Sequence, residues 1–149
     1  MTRIKLDTEE LDWQPAHEVW PSYRIEGLDA GAPDGGSRTD GEDYRPGVFL
    51  KVLRRPSDGG GCWCALLRFS PPPGKAIRVK AIAASDEEVF ILSDASGEAR
   101  PGVFSCNPKG LRHGNTFAGD TIAYVHYHGD PDQILGIELI ELSKAPSGS

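Results

Sequence analysis

Between Gly47 and Leu142 apolar and polar residues alternate in short runs, and each run ends at glycine, proline, asparagine, aspartate or serine. Alternation with a period of two puts successive side chains on opposite faces of a strand. The runs 47–55, 62–70, 76–83, 87–93, 101–106, 111–117, 121–128 and 134–142 are therefore predicted strands, rich in the β-branched and aromatic residues that suit a pleated surface. PSDGGG, PPPGK, ASD, DASGEA, NPKG and AGD supply the turns between them. In 76–83, Ile77, Val79 and Ala81 share one face and Arg78 and Lys80 the other. No helical period persists beyond two turns, so the pattern indicates an all-β sandwich or barrel.

The flanks read differently. Residues 1–24 place Leu11, Trp13, Val19, Trp20 and Tyr23 among polar residues, and Pro15 and Pro21 argue against a long helix. Short extended pieces that lay aromatics on the main body are expected there. Residues 25–46 are rich in Gly, Asp and Ser and read as a loop, either a plain insert or a lid. The domain reading is thus an N-terminal extension over 1–46, one β domain over 47–142 and a disordered tail over 143–149.

Composition narrows the partners. The 149 residues carry 18 glycines and 12 prolines, which favours short strands and many turns. A net charge of −6 without a basic cluster argues against nucleic acid. No apolar run approaches the roughly 20 residues of a membrane-spanning helix, and residues 1–13 lack the apolar core of a secretory signal. A cytoplasmic protein without membrane contact is expected. Trp13, Val19, Trp20 and Tyr23 supply apolar surface that needs cover, from which a homodimer is expected. Cys62 and Cys64 flank Trp63 and share a strand face. They read as buried free thiols, with a metal-binding pair as the alternative.

Three of the four histidines fall in the segment 102–128. Within it Gly102, Pro108, Gly110 and His113 keep the spacing of the second sequence motif of the cupin superfamily. The run Leu66–Leu67–Arg68–Phe69, the pair Pro73 and Gly74, and Glu87 to Leu92 are similar to the small cupins that include the cupin domain of ChrR anti-sigma factors and the acetylacetone-cleaving dioxygenases. The resemblance covers about residues 47–142 and implies an all-β, single-domain cupin jelly-roll β-barrel. It implies a small-molecule ligand inside that barrel and a divalent transition metal (Fe, Zn, Ni or Mn), or none. His113 is then inward-facing.

The first cupin motif departs from the family. Counted from Gly74, its two histidine positions hold Lys80 and Ile82, and a shift by one puts Ala81 and Ala83 there; its glutamate position holds Glu87. The family's two imidazoles are absent in either register, and one histidine with one carboxylate is a poor transition-metal site. Two arrangements remain open. His126 and His128, on one face of 121–128 with Ile122 and Tyr124, can join His113 and Glu87 as metal ligands if that face is inward. Otherwise the chemistry is metal-free: Lys80 paired with Glu87 as an amine base, and His113 as acid or base. Arg78, Arg112 and Tyr124 would then hold the substrate. The alternation of 76–83 instead sends Lys80 and Arg78 to solvent. Asp130 and Asp132 in GDPD read as a solvated turn. The functions that follow are a small-molecule enzyme of lyase, isomerase or cyclase type, a metal-dependent dioxygenase, or a non-catalytic sensor module.

Overall fold

A computed structural model of the chain describes residues 5–26, 28, 38–39, 42–43, 46–97 and 99–142. Eleven strands are present among them: β1 (Gln14–Pro15), β2 (Arg38–Thr39), β3 (Glu42–Asp43), β4 (Gly47–Arg54), β5 (Trp63–Ser70), β6 (Lys75–Ile82), β7 (Glu87–Asp94), β8 (Phe104–Asn107), β9 (Arg112–Phe117), β10 (Thr121–Tyr127) and β11 (Gln133–Glu141). They form an antiparallel six-stranded sheet in the order β1-β4-β5-β10-β7-β8 and a three-stranded sheet β11-β6-β9; β2 and β3 pair separately. The sequence order jumps at β5-β10-β7 and at β11-β6-β9, so non-local pairing builds both sheets.

The two sheets bury their facing sides against each other. Leu50, Ala65, Leu67, Phe69, Val125 and Tyr127 come from the larger sheet and Ile77, Val79 and Phe117 from the smaller, all in one apolar cluster. Alternation decides which residues these are. In β6, Ala76, Ile77, Val79 and Ala81 are buried while Lys80 is exposed. In β10, Thr121, Ala123, Val125 and Tyr127 are buried and the residues between them are not. Phe117 of β9 stacks on Phe69 of β5 with centroids 3.9 Å apart and planes 5° off parallel, tying the sheets together.

The N-terminal residues close one side of this core. Prolines 15 and 21 cannot extend a helix, and the chain makes only single 3-10 turns at Thr8–Glu10, Ala16–Glu18 and Pro21–Tyr23, with β1 laid along β4. Trp20 and Tyr23 are 5% and 4% exposed, inside the chain's own core. Trp20 meets Trp63 and Tyr127 edge to face. These two aromatics therefore offer no surface to a second copy. The expected lid over 25–46 lies largely outside the described residues, and the tail 143–149 lies wholly outside them. Among the described residues no helix is long and apolar enough to cross a membrane.

Candidate functional site

Strand β7 opens on Glu87, which stands opposite Asn107 of β8 on one side and Tyr127 of β10 on the other. All three side chains point to the inner face. Asn107 donates its amide N–H to Glu87 Oε1 at 2.8 Å, and the Tyr127 hydroxyl meets that of Tyr23 at 3.2 Å. His113 reaches in from β9 of the other sheet, where it faces Ala81. Asp132 arrives from the connection between β10 and β11. That connection is docked on the turn before β7: the His128 amide donates to the Asp86 carbonyl, the Ser85 hydroxyl donates to the Asp130 carbonyl at 2.8 Å, and Gly129 packs on Ser85.

The result is a compact buried triad. His113 Nε2 lies 2.9 Å from Asp132 Oδ2 and 3.4 Å from Glu87 Oε1. Glu87 and Asp132 are 3% and 7% exposed. Two carboxyls this close cannot both ionise in a dry site. Burial, and then the charge and hydrogen bond of Glu87, push the Asp132 carboxyl up to about 8, so it is neutral at neutral pH. Burial pushes the Tyr23 hydroxyl up as well, with the charge of Asp132 adding to it; Tyr127 is raised by burial and by Tyr23.

The triad sits at the polar end of a cavity of about 390 Å³ between the sheets. Leu67, Phe69, Val89, Ile91 and Val125 wall it on one side and Val79 and Phe117 on the other; Ala99, Arg100 and Val103 contribute from the segment before β8. An apolar chamber of this size with a few convergent polar groups suits a small organic molecule.

Several expected site residues are elsewhere. Lys80 is exposed, because its neighbours Val79 and Ala81 take the inward positions of β6. It is no partner for Glu87. Arg78 points outward with it and donates to Glu138 of β11 from Nε at 3.0 Å and from Nη2. Arg112 is exposed at the start of β9, and Tyr124 stands on the outer face of β10 beside Cys64. None of these four lines the cavity; among the described residues, the Lys or Arg that borders it is Arg100. His126 and His128 also lie outward, stacked on each other with centroids 4.2 Å apart and both 3.3–3.4 Å from Glu88. The inward face of β10 belongs to Ala123, Val125 and Tyr127, so neither histidine joins His113. Ala81 and Ala83, 2% and 1% exposed, hold the inward positions of the first motif.

Glu87 and His113 are brought together. The side chains that complete their surroundings were not singled out from sequence: Asp132, Tyr23, Tyr127 and Asn107. Asp132 is buried rather than solvated because Gly129 and Ser85 pin its loop inward. Nothing in GDPD itself distinguishes that outcome from an exposed turn.

The fold is similar to that of solved proteins. The polyketide cyclase RemF from Streptomyces resistomycificus matches 98% of this chain and 90% of its own, with a TM-score of 0.53 at 14% identity. The fold is that of a cupin. Other similar structures with the cupin fold include the acetylacetone dioxygenase from Acinetobacter johnsonii, at TM-score 0.48 and 15% identity over 91% of this chain and 85% of that one. An RmlC-like cupin from Ralstonia eutropha matches at TM-score 0.43 and 18% identity over 81% and 83%. No family model matches the sequence, and no curated protein does. At these identities the likeness concerns the cupin jelly-roll alone. In this chain Ala81 and Ala83 are buried at the end of β6 and just after it, and Asp132, beside His113, comes from the loop after β10.

Proposed function

We propose that this cupin converts a small, largely apolar carbonyl compound by proton transfer in the cavity, as an isomerase, cyclase or lyase. The observation that carries the reading is the buried Glu87–His113–Asp132 triad lining a largely apolar chamber. Ring closure of a polyketide, the activity RemF is named for, belongs to this class of chemistry.

The residues divide the work by charge state. Asp132 keeps its proton up to about pH 8 and can donate it to a substrate oxygen. Glu87, held by Asn107, is the partner carboxylate that accepts a proton from carbon. His113 lies against both and can pass a proton between them. The Tyr23 and Tyr127 hydroxyls, both kept protonated by burial, can hydrogen-bond an oxygen on which charge develops. The apolar walls exclude water and hold the carbon skeleton.

A second reading rests on the donor atoms of the triad. His113 Nε2 faces Asp132 Oδ2 and Glu87 Oε1, and Asp132 Oδ1 is buried without a hydrogen-bond partner. A buried acceptor left unpaired in this way has a lone pair to offer a bound ion. One imidazole and two carboxylates, with donor atoms all within 4.8 Å of one another, fit a divalent cation of the Fe, Zn, Ni or Mn kind. Such an ion would polarise a substrate carbonyl. The residues still bind and orient the substrate as above. The dioxygenase form that needs His126 or His128 as ligand has no support in this geometry.

Metal analysis of freshly purified protein, with turnover of β-dicarbonyl and aryl-ketone compounds before and after chelation, tests both readings. Metal-free activity lost in His113→Ala and Asp132→Asn supports the first. Stoichiometric metal lost with activity in the same variants supports the second. No turnover and no binding of any carbonyl compound sinks both, and leaves the non-catalytic sensor.

A further inference from the structure

The outer face of the larger sheet carries a second constellation, back to back with the triad. Cys64 of β5 pairs in register with His126 of β10, and His126 with Glu88 of β7. Three chemistry-bearing side chains thus lie in one row across three neighbouring strands. Cys62 sits two residues before Cys64, on the same side of Trp63, and His128 two residues beyond His126. Donor atoms of Cys62, Cys64 and His126 all lie within 4.8 Å of one another, and so do those of Glu88, His126 and His128. His126 belongs to both sets. Both cysteines are buried and free, which fits neither a disulfide nor a chance surface thiol.

We propose that Cys62, Cys64 and His126 hold a zinc ion, with the fourth position beside Glu88 and His128. Two thiolates and an imidazole are the donors that select zinc over harder cations. Donor atoms around a tetrahedral zinc stand about 3.5–4 Å apart, so from separations of at most 4.8 Å the side chains need only small movements to close on the ion. The rigid register of β5 and β10 sets Cys64 and His126 in place, and the C-x-C spacing brings the second sulfur to the same face. The ion ties β5 to β10 from outside, one residue away from Tyr127 and Glu87 on the inner face. The site is structural and independent of the chemistry in the cavity.

The test is cobalt binding to reduced, chelator-stripped full chain. Wild-type protein gives thiolate-to-cobalt charge-transfer bands and intense tetrahedral visible bands, which zinc removes. Cys62→Ser with Cys64→Ser abolishes the charge-transfer bands, and His126→Ala weakens binding at least tenfold. Glu87→Gln with Asp132→Asn, which disables the inner triad, leaves the bands intact. Zinc also raises the midpoint of thermal unfolding of the wild type and not of the cysteine variant. X-ray absorption of the zinc-loaded wild type shows two sulfurs, a readout that needs no variant to fold. Absent thiolate bands in the wild type, bands that survive in the double cysteine variant, or a zinc shell of nitrogen and oxygen only would overturn the proposal.

Discussion

Asp132 shows how much one residue's meaning depends on its surroundings. In an exposed turn it would be an ordinary carboxylate. Beside Glu87 and away from water its carboxyl is raised to about 8. The folded chain therefore binds a proton that the unfolded chain has already lost between about pH 4 and 8. In metal-free protein this contribution to stability is present at the acid end of that window and is lost as pH rises to about 8. Urea unfolding at a series of pH values is expected to show the decline in the wild type and a flatter profile in Asp132→Asn. An unchanged profile would mean that Asp132 titrates normally. The hydroxyl pair allows a second check. Tyr23→Phe keeps the packing of Trp20 and Tyr127 but removes one donor, so it is expected to retain stability within about 1–2 kcal/mol. Turnover or ligand affinity falls instead, read as a split between kcat and KM.

At the scale of elements, Phe117 and Gly114 of β9 set the shape of the chamber. Phe117 stacks on Phe69 across the two sheets. Truncation to alanine is expected to cost about 3–5 kcal/mol, measured by chemical denaturation, because the cavity next to it cannot collapse to fill the space. Gly114 has no room for a side chain: an added Cβ would lie 2.6 Å from the Val79 carbonyl oxygen of the neighbouring strand. Gly114→Ala must push β9 away from β6, and His113 with it. About 1–3 kcal/mol of destabilisation is expected, together with loss of whatever binds at the triad. Gly136 of β11 has open space around the same position, and Gly136→Ala serves as the control that leaves the site unmoved.

At the scale of the molecule, the homodimer expected from N-terminal aromatics needs a different surface, since Trp20 and Tyr23 are spent inside the core. The exposed apolar side chains Phe90, Leu92 and Phe104 gather on β7 and β8. Strand β8 ends the larger sheet, with no strand beyond it among the described residues. An open edge with an apolar flank suits pairing with a second copy. Sedimentation at micromolar concentration is expected to show a dimer that Phe104→Lys converts to monomer. A monomeric wild type would reject it.

The strands themselves were legible in the sequence, because a period of two and turn residues are local properties. The runs at 76–83, 87–93 and 121–128 appear as β6, β7 and β10 with ends shifted by a residue or so. The motif of Gly102, Pro108, Gly110 and His113 was legible too, since glycine and proline act on their own backbone. Gly110, for example, adopts a φ of 92° in the turn before β9. What no single stretch contains is the identity of the neighbour across a sheet or a loop. Both faces of β10 carry apolar residues, so only packing against β6 and β9 decided that Tyr127 turns inward and His126 and His128 turn out. Lys80 faced solvent as alternation alone indicated, against the alignment of the motif. The triad joins β7, β9 and the loop before β11, with Tyr23 from the N-terminal turns beside it. Sequence determined the strands and two of the triad's members. Tertiary structure alone supplied the third, because burial of Asp132 depends on a loop pinned by residues more than forty positions away.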